Sequence, residues 1–129
     1  MPEPLIAFTV FGQLISMKNS KIQAVKGGKA FTFKNPAVVK YEKTFAPQVP
    51  PEYRNLRLGG LTVPLQATIR VFYPTMRQDL DCALVYDCLQ RAGVIADDRH
   101  IRVKYEYAYI DKDNPRVEIQ LCEERGRYE

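Results

Sequence analysis

The 129-residue chain is poor in the residues from which many functional centres are built. Its one histidine, His100, excludes a multi-histidine metal centre and leaves little from which to assemble a serine–histidine–aspartate triad. It reads as an ordinary surface histidine. The three cysteines, Cys82, Cys88 and Cys122, are few, odd in number and nowhere in a CxxC spacing. That speaks against a disulfide scaffold and a structural zinc site, and fits small buried residues in a reducing, cytoplasmic compartment. No stretch approaches the ~20 apolar residues of a membrane-spanning helix. The start, Met1 to Val10, lacks the basic segment of a secretory signal. Gly27-Gly28 lacks the spacing and the Lys-Ser/Thr of a phosphate loop, so no small-molecule cofactor is expected. Repeats and low-complexity segments are absent as well.

Apolar material is plentiful: 46% of the residues are hydrophobic, enough for a buried core. The charge is unevenly placed. Residues 1–60 hold nine Lys and Arg against three acids, whereas residues 61–129 hold ten against twelve. Five aspartates, Asp79, Asp81, Asp87, Asp97 and Asp98, fall within one 20-residue window. A basic half beside a carboxylate cluster suits a polyanion held against a metal site, and equally a solvated surface beside a polar helix face.

Hydrophobic periodicity orders the elements. Leu5 to Ile15 reads as a strand, Lys18 to Lys29 as a basic loop or hairpin, and Ala30 to Phe33 as its returning strand. Asn35-Pro36 is a helix start, with Asn35 able to accept a free N–H and Pro36 at the first helical position. Val38, Tyr41 and Phe45 form the apolar stripe of that helix. Leu65 to Tyr73 alternates strictly and is the clearest strand. Asp81 to Ala92 reads as a helix with Leu84, Val85, Cys88, Leu89 and Ala92 on one face and Gly93 behind it. Ile101 to Ile110 and Arg116 to Leu121 read as the two strands of a C-terminal hairpin. The expected fold is α+β, a single two-layer domain over residues 1–129. Its mixed sheet has four to five strands and carries two helices on one face.

In an extended Asp79-Leu80-Asp81 the two carboxylates leave the chain on one side, with Leu80 pointing into the core. Such a pair can share Mg²⁺, a hard cation that takes oxygen ligands. Asp97 and Asp98 follow a helix roughly 18 Å long, and would join the pair if Val94-Ile95-Ala96 returns to the strand end. Asp81 alone is also a good helix cap, and Asp97-Asp98 an ordinary turn. Lys18, Lys21, Lys26, Lys29 and Lys34, interleaved with Phe31 and Phe33, suit contact with a DNA backbone, or a solvated hairpin rim. Tyr105, Tyr107 and Tyr109 alternate on one face of a strand, as a packing or dimer surface would.

Around these acids the sequence resembles the RusA-like Holliday junction resolvases. The resemblance rests on Tyr73-Pro74-Thr75-Met76-Arg77, then Asp79-Leu80-Asp81, then Asp87-Cys88-Leu89-Gln90-Arg91-Ala92-Gly93, and then Asp97-Asp98 leading into an alternating strand. It covers residues 70–121 well and residues 5–45 more loosely. It implies a small homodimeric endonuclease of recombination and repair, often prophage-encoded, that needs Mg²⁺ (or Mn²⁺) and cuts four-way DNA junctions symmetrically. By resemblance, Asp79, Asp81 and Asp98 are the catalytic, metal-binding carboxylates and Asp97 an accessory metal ligand. Lys18, Lys21, Lys26, Lys29, Arg77 and Arg99 are the expected DNA contacts. The chain departs from the family pattern in two places: Cys82 stands where the family has Asn, and Val85 where it has Lys. The segment between Asp81 and Asp87 is also two residues shorter. Arg77, Arg91 or Arg99 are the available substitutes for that Lys. The departures also suit a junction-binding protein without catalysis.

Overall fold

The computed structural model describes residues 4–19, 21–60 and 62–124. Strand β1, Ile6–Phe11, is shorter than its apolar pattern because Gly12, at φ +117°, turns the chain out of the extended region. Strands β2, Lys21–Lys26, and β3, Lys29–Lys34, form a two-stranded hairpin. Its turn is Gly27-Gly28, with φ of +60° and +77°, the pair of left-handed residues that a tight two-residue hairpin turn demands. Helix α1, Pro36–Phe45, starts as its sequence suggests: Asn35 Oδ1 accepts from the Ala37 N–H at 3.0 Å, and Pro36 occupies the first turn. Val38, Tyr41 and Phe45 are its buried face.

Strand β4, Leu65–Tyr73, buries every second residue. Helix α2, Ala83–Arg91, buries Leu84, Val85, Tyr86, Cys88 and Leu89. Gly93 behind it, at φ +74°, has no room for a side chain, since a Cβ there would lie 2.8 Å from Asn55 Oδ1. Strands β5, Ile101–Ile110, and β6, Arg116–Glu123, complete a four-stranded mixed sheet in the order β1-β6-β4-β5. The fold is α+β, as expected: this sheet, the separate β2–β3 pair and two helices.

The expected C-terminal hairpin does not form. β5 runs parallel to β4, joined to it through α2, while β6 pairs antiparallel with the other side of β4 and with β1. The five residues between them therefore cross the end of β4, where the Asp111 N–H donates to the Tyr73 carbonyl at 2.8 Å. Two β-prone segments joined by a turn look like a hairpin in sequence, yet β4 offers both edges and takes one strand on each.

The core lies between the sheet and the helices. Phe8 of β1 meets Phe45 of α1 edge-on at 6.3 Å, and both helices share one apolar cluster with the sheet. The other sheet face carries Arg70, Phe72, Tyr107, Tyr109 and Arg116, with Phe72 and Tyr109 stacked at 5.0 Å and the Arg116 guanidinium 3.8 Å over Phe72. Among the described residues no helix is long and apolar enough to cross a membrane. Burial pushes the Cys82 and Cys88 thiols up to about 12. Both are therefore neutral at pH 8, and a thiol reagent such as DTNB is expected to label them only after denaturation. Rapid labelling of the native protein at both would contradict their burial.

Candidate metal and nucleic-acid site

The segment between β4 and α2 folds back over the end of β4. The buried Tyr73 supplies the hinge: its hydroxyl donates to the Asp79 carbonyl at 3.0 Å and accepts from the Asp81 N–H at 3.5 Å. This segment is not an extended strand, and Leu80 is 38% exposed rather than turned into the core.

Asp81 is fixed from three sides. Its Oδ1 accepts from the N–H of Ala83, the first residue of α2, at 3.0 Å, from one residue before the cap Cys82, and its Oδ2 accepts from the Met17 N–H and the Ser16 hydroxyl, each at 3.0 Å. Burial pushes the carboxyl up, but these donors outweigh it and hold it below the usual carboxylate range. Ser16 and Met17, pinned in this way, present Lys18. The Lys18 ammonium lies 2.8 Å from Asp79 Oδ2, with both side chains open to solvent. That hydrogen bond and its charge lower the Asp79 carboxyl and raise the lysine.

Asp97 and Asp98 lie elsewhere. Asp97 Oδ1 accepts from the Arg99 N–H at 3.0 Å, and its Oδ2 pairs with the Arg99 side chain at 3.1 Å. The Asp98 N–H donates to Gln90 Oε1, at the far end of α2. The reason is the crossover. α2 starts beside the end of β4 and delivers the chain to the start of β5, where Ile101 pairs with Leu65. At about 3.3 Å per residue, Leu65 and Tyr73 are ~26 Å apart. The return segment bonds instead to Leu58, through Leu58 N–H to the Val94 carbonyl and Ala96 N–H to the Leu58 carbonyl. Within one chain the two acidic pairs therefore stay at opposite ends of the sheet. Among the described residues no three His, Cys, Asp or Glu side chains gather to hold a metal ion.

The β2–β3 hairpin is a basic arm. None of its residues enters the core, and Lys21, Lys26 and Lys29 are exposed with Phe31 and Phe33. Lys34 anchors it, donating to Glu42 of α1 at 2.7 Å, while Arg91 of α2 reaches the same Glu42 at 3.3 Å. A cleft of about 470 Å³ runs between arm and α2, lined by Lys21, Thr32, Phe33, Lys34 and Arg91 among others. Arg77 is exposed two residues before Asp79, whereas Arg99 is at the opposite end with Asp97. His100 is half-buried rather than a free surface group; its Nδ1 is buried with no partner among the described residues.

Sequence reasoning missed two features. Ser16 and Lys18 meet the acidic pair from more than 60 positions away, which no local pattern records. Beside Cys82, the Tyr86 hydroxyl donates to Glu106 at 2.6 Å with Lys104 4.4 Å over its ring. The signal for the second was the alternation that sets Lys104 and Glu106 on one side of β5. Val85 and Cys82, where the resemblance has Lys and Asn, are both buried, so neither position faces the acids as an open polar group.

No family model matches the chain, and no curated protein matches it. Against a hard divalent cation the residues divide. Asp79 and Asp81 fit, because they offer carboxylate oxygens, exposed on Asp79 and half-buried on Asp81, and the pair already draws a cation, the Lys18 ammonium. Asp97 and Asp98 of the same chain do not join them. Mg²⁺ commonly takes one or two carboxylates and completes its shell with water and substrate phosphate.

Proposed function

We propose that the protein is a metal-dependent endonuclease acting on branched DNA, four-way junctions in particular, in line with its RusA-like resemblance. The observation that carries this reading is the Asp79–Asp81 pair set at the surface with Lys18, on the same chain as a lysine-rich arm. Mg²⁺ or Mn²⁺ held there would supply charge neutralisation at the phosphate and a more acidic bound water. Asp81, fixed by three donors, is the pre-oriented ligand; Asp79, exposed and paired with a solvated lysine, is the adaptable one. Lys21, Lys26 and Lys29 neutralise backbone phosphates, and Lys18 and Arg77 do so beside the acids. A four-way junction has two-fold symmetry, and a symmetric pair of copies would present two arms and two sites to it.

Removing divalent metal with EDTA is expected to stop scission of a four-way junction, and added Mg²⁺ to restore it, with the protein bound to DNA throughout. Scission that persists in EDTA would contradict the reading. Lys26→Ala and Lys29→Ala are each expected to weaken DNA binding uniformly across sequences and to lower the slope of log K against log salt by about one. An unchanged slope would remove the arm from the interface.

A second reading is a junction-binding protein without catalysis. It is favoured by the burial of Val85 and by the three donors already engaging Asp81. It expects salt-sensitive binding and no scission at any Mg²⁺ or Mn²⁺ concentration.

A further inference from the structure

We infer that the outer face of the β2–β3 arm is a stacking surface for unpaired nucleotides, with Phe31 and Phe33 against the bases and Lys26 and Lys29 on the phosphates. The inference rests on the nucleic-acid part of the reading above and not on scission.

Register sorts the arm's side chains onto two faces. Opposed residues of an antiparallel pair share a face, and neighbours along a strand alternate. Lys21 opposes Lys34, and Gln23 opposes Thr32. That face turns to the helices: Lys34 bonds Glu42, and Lys21, Thr32 and Lys34 line the cleft beside α2. The other face carries Ile22 opposite Phe33, Ala24 opposite Phe31, and Lys26 opposite Lys29. Phe33 also borders the cleft, yet it is 39% exposed and Phe31 44%, and neither joins the core. The two rings sit side by side, centroids 5.8 Å apart and planes 30° from parallel. Neighbouring exposed aromatic rings with a charged rim mark a surface that a partner covers.

The occupant is argued from charge and shape. No Asp or Glu occurs between Pro4 and Tyr41, so the arm carries Lys21, Lys26, Lys29 and Lys34 and no acid of its own. A second copy of the arm would set lysines against lysines. A bilayer would have to take up the tip, which is Lys26-Gly27-Gly28-Lys29. A nucleic-acid strand suits both features: its bases stack on aromatic rings whatever their identity, and its phosphates pair with ammonium groups. Lys29 stands two residues, ~7 Å, beyond Phe31, in reach of the phosphate of a base stacked there. The rings also discriminate. In a duplex each base face is covered by its neighbour, so the rings engage bases whose stacking is broken, as at a branch point or in a single strand. The lysines hold any DNA; the phenylalanines favour the place where its stacking is interrupted.

The test is binding without divalent metal, to an oligothymidylate single strand and to a duplex of equal length. Phe33→Leu keeps an apolar side chain and loses the aromatic face; it is expected to weaken single-strand binding about tenfold or more, the scale of one lost base stack. Duplex binding, held by phosphate contacts, should stay within about twofold. Phe33→Tyr keeps the ring and should bind the single strand as the wild type does. Because the chain has no tryptophan, Phe33→Trp adds a single reporter, whose emission should be quenched when the oligothymidylate binds. Full affinity in Phe33→Leu, equal losses on strand and duplex, or an unquenched tryptophan beside bound oligonucleotide overturns the stacking surface. So does a tryptophan that responds to phosphatidylserine vesicles and not to the single strand. A wild type that binds neither single strand nor duplex overturns the nucleic-acid reading as well. A protein that stacks as expected but never cuts a junction supports this inference and overturns the nuclease reading alone.

Discussion

Asp79→Asn is expected to reduce metal-dependent junction scission by at least about a hundredfold, the scale on which removal of one charge-stabilising group from a site is felt. The melting temperature should hardly move. The argument rests on what Asp79 touches. Its side chain is 79% exposed and its side-chain ion pair is with Lys18, itself 67% exposed, the kind of solvated pair that adds little to stability. Asparagine keeps the shape and removes the charge that would hold a divalent cation. Asp81→Asn is a poorer probe, because Asp81 also bonds the first N–H of α2 and tethers Ser16 and Met17, so folding and activity would fall together. Scission rate and thermal unfolding measured on the same Asp79→Asn sample separate chemistry from structure. A wild-type rate would take Asp79 out of the site.

Leu89→Ala carries the largest expected effect on folding, a loss of about 2–5 kcal/mol. Leu89 is fully buried on α2 within the single apolar cluster that joins both helices to the sheet. Deleting its branched end removes apolar contact and leaves a void that a well-packed neighbourhood fills only partly. A domain of this size is stable by about 5–15 kcal/mol, so the loss is a large share of the total. The melting temperature should fall by on the order of 10 °C. α2 also holds both acidic segments, the Ala83 N–H donating to Asp81 at its start and Gln90 accepting from the Asp98 N–H near its end. Loosening it should therefore blur the site before the protein unfolds. A urea midpoint shift that, at an unchanged slope, corresponds to a loss of less than about 1 kcal/mol would show that the core closes over the gap.

The elements legible in the sequence were those whose signals are local. β4 announced itself by strict alternation, α1 by Asn35-Pro36 and an apolar stripe, and the arm's turn by two adjacent glycines. Strand partnership was not legible, because alternation says which face is buried and not which edge is paired; hence β5 and β6 read as a hairpin when β4 separates them. The acids show the same limit. The Asp-Leu-Asp spacing suggested an extended pair with Leu80 inward, whereas the segment is bent, Leu80 is exposed, and what Asp79 and Asp81 share is the charge of Lys18; Asp81 lies one residue before the helix cap, Cys82. The sequence could not show that a parallel crossover carries Asp97 and Asp98 to the far end of the sheet, since that depends on the direction of β5. Nor could it show Lys18 closing on Asp79 across 61 positions.

The most direct test of the account is one measurement on the wild-type protein. An end-labelled four-way junction and a linear duplex of the same sequence are incubated with the protein and Mg²⁺, and the strands are separated on a denaturing gel. The account predicts paired nicks at symmetric positions of the junction and an intact duplex. A junction left whole in both Mg²⁺ and Mn²⁺, at protein concentrations that fully bind it, would contradict the assignment of a nuclease.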